Sequence, residues 1–191
     1  MSNISMTTSK RNAIVTVMLI SAFVSMLNQT ILNTALPAII KGLNITETTA
    51  QWLITGFMLV NGIMIPLTAF LMDKYSTRHL YIFSMAIFLI GSVVAAVSPT
   101  FSILMISRII QAIGAGILLP LMQFTVFTLF PAEQRGFAMG LAGVVVQSAP
   151  AIGPTLTGLF VDLFSWRMPF YLVSAIAAVA FILGFFFVEN N

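Results

Sequence analysis

Six times along this chain an apolar run of about 20 residues, the length a helix needs to cross the hydrocarbon of a bilayer, is closed by a short polar break. The runs cover roughly residues 13–36, 48–72, 80–97, 102–130, 136–160 and 168–188. Composition agrees. Of 191 residues 59% are hydrophobic and only 7% charged, against roughly 25% charged in a soluble domain, so too few charges remain to coat a water-facing surface. The expectation is an all-α membrane protein. A tail over 1–12 and an end over 189–191 flank a six-helix transmembrane domain over 13–188.

The breaks have physical causes. Pro37 lacks an N–H and disfavours helix at Leu36, which predicts that helix 1 ends there. The polar stretches 41–49, 73–79, 98–100, 131–135 and 162–167 follow as loops, all short enough for one compact bundle. The first run is too long for the apolar part of a signal peptide. Charge sets the direction. With the N-terminus in the cytoplasm, Lys10, Arg11, Lys74, Arg78 and Arg135 lie inside, and Lys41 and Arg167 outside. This is the positive-inside asymmetry, and six spans bring the C-terminus back to the cytoplasm.

Residue chemistry narrows the function. A net charge of +3 is too small for a nucleic-acid footprint, and the absence of cysteine excludes disulfides and thiolate chemistry. With His79 as the one histidine and no embedded Ser/Lys pair, aspartate pair or H-E-x-x-H site, no catalytic residue, metal or cofactor is expected.

Within the spans the one charge is Arg108, about seven residues into helix 4 from the outside, or roughly 10 Å by helix rise. A charge near the bilayer centre costs about 2.5–3.5 kcal/mol on insertion scales, so it faces a cavity or a partner. Asn28 on helix 1 lies at nearly the same depth, where its amide oxygen can accept from the guanidinium. Gln111 is one turn below Arg108. Ser21, Ser25 and Asn28 form a polar stripe on helix 1, with Asn61 in mid-helix 2 and Gln147 in mid-helix 5. Together they predict a wet cavity lined by Asn28, Asn61, Arg108, Gln111 and Gln147. Helix 5 carries Gly136, Gly140 and Gly143, then Pro150 and Pro154, which predicts close backbone approach and a bend.

Four segments carry a resemblance to a known family. Residues 27–37 read L-N-Q-T-I-L-N-T-A-L-P, similar to L-D-x-T-[IV]-V-N-x-A-L-P, with Asn28 in place of aspartate. Residues 69–78 resemble G-x-L-x-D-R-x-G-R-R, keeping Asp73 and Arg78, with Lys74 for arginine and Ala69, Ser76 and Thr77 departing. Leu104, Arg108, Gln111, Gly114 and Gly116 resemble L-x-x-x-R-x-x-Q-G-x-G, with Ala112 for one glycine. Residues 149–158 resemble G-x-x-x-G-P-x-x-G-G: Gly153, Pro154 and Gly158 are kept and Ala149 departs. Trp166 to Phe170, at the start of helix 6, are similar as well. In this order the segments resemble the N-terminal half of a major facilitator superfamily transporter, closest in pattern to the fourteen-helix drug/proton antiporter branch.

The resemblance implies two three-helix repeats making half of a transporter fold, paired with a second six-helix half in the same chain or by dimerisation. It implies export of a small amphipathic, often cationic solute from a bacterial plasma membrane in exchange for protons. It assigns gating to Asp73, Lys74 and Arg78, proton handling to Arg108 and export to the motif of Ala149, Gly153, Pro154 and Gly158. Asn28 cannot titrate, and Glu47, Asp73, Glu133, Asp162 and Glu189 all lie at helix ends or in the tail, so this half has no embedded proton carrier. The alternatives are a transporter fold with another solute or coupling, and a half-domain that dimerises without transport. Since no soluble tail follows Glu189, the chain is expected to stop at a domain boundary.

Overall fold

A computed structural model describes residues 6–189. The described residues form six helices: α1 (Thr8–Leu43), α2 (Glu47–Lys74), α3 (Thr77–Val97), α4 (Phe101–Leu129), α5 (Ala132–Leu163) and α6 (Met168–Phe187). Each is long and apolar enough to cross a membrane. A helix satisfies its own backbone groups, which hydrocarbon cannot do. Side-chain caps fix several starts. Thr46, Ser76 and Thr100 accept the backbone N–H of Thr49, His79 and Ile103 respectively, each filling one of a helix's orphan donors.

Helix 1 differs from its expected bounds at both ends. It begins at Thr8, so residues 8–12 are helix rather than tail, while residues 1–5 and 190–191 of the expected ends lie outside the described residues. It also runs through Pro37 to Leu43. The proline removes one hydrogen bond, but the fully buried Ala35 and Ile39 on either side hold the backbone in helical register by packing. The stop comes at Asn44, at φ 51° in the left-handed region, which asparagine tolerates better than most residues. The stretch expected as the fourth loop is largely the first turn of α5. Pro131 sits at its N-cap and Glu133 in the first turn, complementing the helix dipole. Arg135 Nε donates to Phe130 O at the end of α4, 3.0 Å away.

The packing is pairwise. α1 lies on α5 as α4 lies on α2; α3 lies on α4 as α6 lies on α1; α1 meets α4, and α3 meets α6. Exchanging α1–α3 with α4–α6 leaves this pattern unchanged, as two three-helix repeats require. α3 and α6 form the back. There Tyr81, fully buried, shares a 2.6 Å hydrogen bond with Ser21 Oγ on α1 and donates to Ala180 O on α6 at 2.9 Å. Arginines close both ends of that pair: Arg78 donates to Val188 O at 2.8 Å beside the end of α6, and Arg167 to Ala96 O at 3.3 Å at the end of α3. Cations at helix C-termini complement the dipole. A 2.5 Å ion pair between Lys10 and Glu189 puts the start of α1 and the end of α6 at one surface.

α2 and α5 are the flanks. Of their apolar windows only 22% is buried, against 56% in α1 and α4. The bundle therefore has a face, edged by α2 and α5, that no described helix covers.

Candidate functional site

α1, α2, α3 and α4 bring one polar cluster together in the interior. Arg108 is 1% exposed. Its Nη1 donates to Gln111 Oε1 at 3.0 Å, its Cζ lies 4.2 Å from the centre of the Phe57 ring on α2, and its Nε has no partner among the described residues. Ring faces attract cations, more strongly when both are desolvated. Gln111 lies one helical turn after Arg108, so the two side chains share a face of α4. Gln111 in turn donates through Nε2 to Ser92 Oγ on α3 at 3.0 Å, and Ser92 to Phe88 O at 2.8 Å. Gly91 makes this possible, since a Cβ there would lie 2.8 Å from Gln111 Cγ and 2.9 Å from its backbone N.

Asn28, fully buried on α1, joins the cluster differently from the expectation. Its Nδ2 donates to the same Gln111 Oε1 at 3.4 Å, while its Oδ1 has no partner among the described residues. The link from Asn28 to Arg108 thus runs through the glutamine, because Gln111 offers an acceptor to both and its own donor is taken up by Ser92. The polar stripe on α1 lies inside this bundle. Ser21, Ser25 and Asn28 are all buried between helices, with Ser21 on Tyr81.

Two of the expected cavity residues stand apart. Asn61, partly buried on α2, packs on α4 at Gly116, two turns beyond Arg108; a Cβ on that glycine would lie 3.2 Å from Asn61 Oδ1. Gln147 is exposed on α5 and lines a cavity of about 160 Å³ with Met26, Met122 and Gln123. A second cavity, of about 120 Å³, opens between α1 and α2 and is lined by Gln29, Thr30, Asn33, Phe57, Met58 and Arg108. Both cavities reach Met26. Sequence reasoning missed Ser92, Gly91, Phe57 and the trio Gln29, Thr30 and Asn33. The trio had a signal, a second polar stripe beside the first at helical spacing. Ser92 and Phe57 had none, since only packing brings Ser92 to Gln111 and Phe57 to Arg108.

The loop and helix 5 residues also take defined places. Asp73 and Lys74 are exposed at the end of α2. The basic groups on the same side of the bundle make other contacts: Lys74 lies over the Phe70 ring, Arg78 on Val188 O and Arg135 over Phe127. Among the described residues the one ion pair is Lys10–Glu189. On α5, Ala149 is fully buried, and Gly153 abuts Thr30 and Leu27 of α1, so that any side chain there would collide with Thr30. Pro154 is exposed. The close approach expected of the other α5 glycines is absent, for Gly136, Gly140, Gly143 and Gly158 have open space where a Cβ would stand. They lie on the uncovered side of α5. The helix runs without interruption through Pro150 and Pro154.

Residues 18–191 match the sequence profile of the Major Facilitator Superfamily. The chain is 52% identical over 180 residues to the MFS-type transporter YcnB of Bacillus subtilis, a match covering 94% of this chain and 38% of that protein. It is 41% identical over 173 residues to the lincomycin resistance protein LmrB of the same organism, with 91% and 36% covered. To the riboflavin transporter RibZ of Clostridioides difficile it is 35% identical over 171 residues, with 90% and 38% covered. The chain thus spans less than two-fifths of the length of these relatives.

Proposed function

The chain belongs to the major facilitator superfamily, and from that premise we propose that it is the N-terminal half of a secondary transporter exporting amphipathic toxic small molecules in exchange for protons. The uncovered face carries the reading. It is edged by α2 and α5, lined by Gln29, Gln123 and Gln147, and open at Gly136, Gly140, Gly143 and Gly158 of α5. In lipid the glutamines and small residues of this face are poorly satisfied; against a second six-helix unit they line the wall of a solute path. LmrB, named for lincomycin resistance, supports export of a drug-like solute.

Both termini belong in the cytoplasm on this reading. The Lys10–Glu189 contact joins the start of α1 and the end of α6 at one surface, and the basic excess lies at that end. Asp73, without an ion pair among the described residues, then meets the second half at the cytoplasmic surface as the solute path opens and closes.

Proton-driven efflux of a lipophilic dye from vesicles containing the full-length protein tests the proposal. Efflux that collapses when the proton gradient is dissipated is the expected result; flux indifferent to the gradient refutes proton exchange. A second reading, a different solute or coupling, is favoured by Asn28 and by the similarity to RibZ. It predicts flux of a polar metabolite where no dye moves.

A further inference from the structure

Arg108 has no counter-charge in this half. All five acids sit at helix ends or at the tail; among the described residues its guanidinium makes one side-chain hydrogen bond and one ring contact, and its Nε is buried without a partner. Its neighbours Gln111 and Asn28 are neutral, and Asn28 stands where the related motif carries an acid. A buried cation in a low-dielectric setting is costly unless paired. Yet this one lines a cavity open to the uncovered face, with polar Gln29, Thr30 and Asn33 on one wall and apolar Phe57 and Met58 on the other.

We propose that this cavity is an acid-binding subsite: the solute itself brings the counter-charge, placing a carboxylate on Arg108 while its apolar body lies against Phe57 and Met58. A guanidinium fork matches a carboxylate in shape and charge. The same field repels an ammonium group, so the cationic solute expected from resemblance is disfavoured at this position. Gln111 acts as a positioning residue. It holds Arg108 from below by its Oε1 and is itself anchored on Ser92. The proposal rests on the protein being a transporter of amphipathic solutes and adds the charge of the group that reaches helix 4.

The test measures equilibrium binding of three probes to the purified full-length protein: 2-naphthoate, the uncharged 2-naphthylmethanol and the cationic 2-naphthylmethylammonium. Naphthoate should bind about tenfold more tightly than the alcohol, the scale of a hydrogen bond to a charged group, and the ammonium should bind most weakly. Arg108→Gln should abolish the preference, and Arg108→Lys should keep its direction. Asn28→Asp exchanges the donor on Gln111 Oε1 for a carboxylate beside Arg108, an internal counter-charge that should weaken naphthoate about tenfold and the uncharged alcohol far less. If Arg108→Gln does not fold, the lysine and Asn28→Asp variants decide. Equal affinities in the wild type, a preference for the ammonium, binding of none of the three, or a preference surviving Arg108→Gln overturns the subsite. Proton-driven dye efflux scores the exporter reading separately. Efflux without a carboxylate preference sinks the subsite alone, and a carboxylate preference without proton-driven flux sinks the exporter reading alone.

Discussion

Gly184→Ala probes the back of the bundle, where the described contacts are densest in hydrogen bonds between helices. A methyl on Gly184 would stand 2.7 Å from both Cδ1 and Cζ of Tyr81, and closer still to Cε1. Carbon atoms pack best at about 3.5–4.0 Å, so the ring would have to retreat by roughly 2 Å to clear Cε1. It is not free to do so. Its hydroxyl is fixed to Ser21 Oγ at 2.6 Å and to Ala180 O at 2.9 Å, and the side chain is fully buried. Overpacking of this kind costs about 1–3 kcal/mol, while alanine in place of glycine within a helix favours folding by about 1 kcal/mol. The steric term wins, and a net loss of about 1–2 kcal/mol follows. In a Tyr81→Ala background the collision is gone and only the helix-propensity gain remains, so the same substitution becomes neutral or stabilising. The double-mutant cycle should therefore return a coupling of about 2 kcal/mol. Reversible unfolding of the purified protein in mixed micelles, followed by helical circular dichroism, measures all four corners. A coupling below about 0.5 kcal/mol would refute the argument that Gly184 exists to admit the tyrosine ring.

Three further outcomes are expected. Arg78→Gln and Arg167→Gln should each destabilise the α3–α6 pair by about 1 kcal/mol, additively within about 0.5 kcal/mol because they cap opposite ends, as unfolding of the single and double variants would report. Asp73→Asn should leave solute binding intact but slow export, measured as unchanged equilibrium affinity with reduced dye efflux; normal export would remove Asp73 from the conformational cycle. A single cysteine at position 76, in a chain with none of its own, should resist an impermeant thiol reagent in intact cells and react once the membrane is opened, and labelling from outside would reverse the proposed orientation.

Sequence alone determined what depends on the solvent. Hydrocarbon demands long apolar helices with internally satisfied backbones, so six runs with polar breaks were legible as six helices, and the embedded Arg108 stood out because nothing else in the spans is charged. Motif order was legible too, since it is a property of the chain. The contacts of Arg108 were not. Depth and helical spacing placed Asn28 and Gln111 near it, but which atoms meet depends on how closely α3 approaches α4, and that is set by Gly91 admitting the Gln111 stem. The same holds at Pro37, where local chemistry argued for an end and packing of Ala35 and Ile39 carried the helix onward. For the glycines of α5 the sequence fixes only that close approach is allowed. Tertiary structure chose Gly153 for contact with α1 and left the rest on an open face, because a helix has several sides and a glycine carries no side chain to say which one is covered.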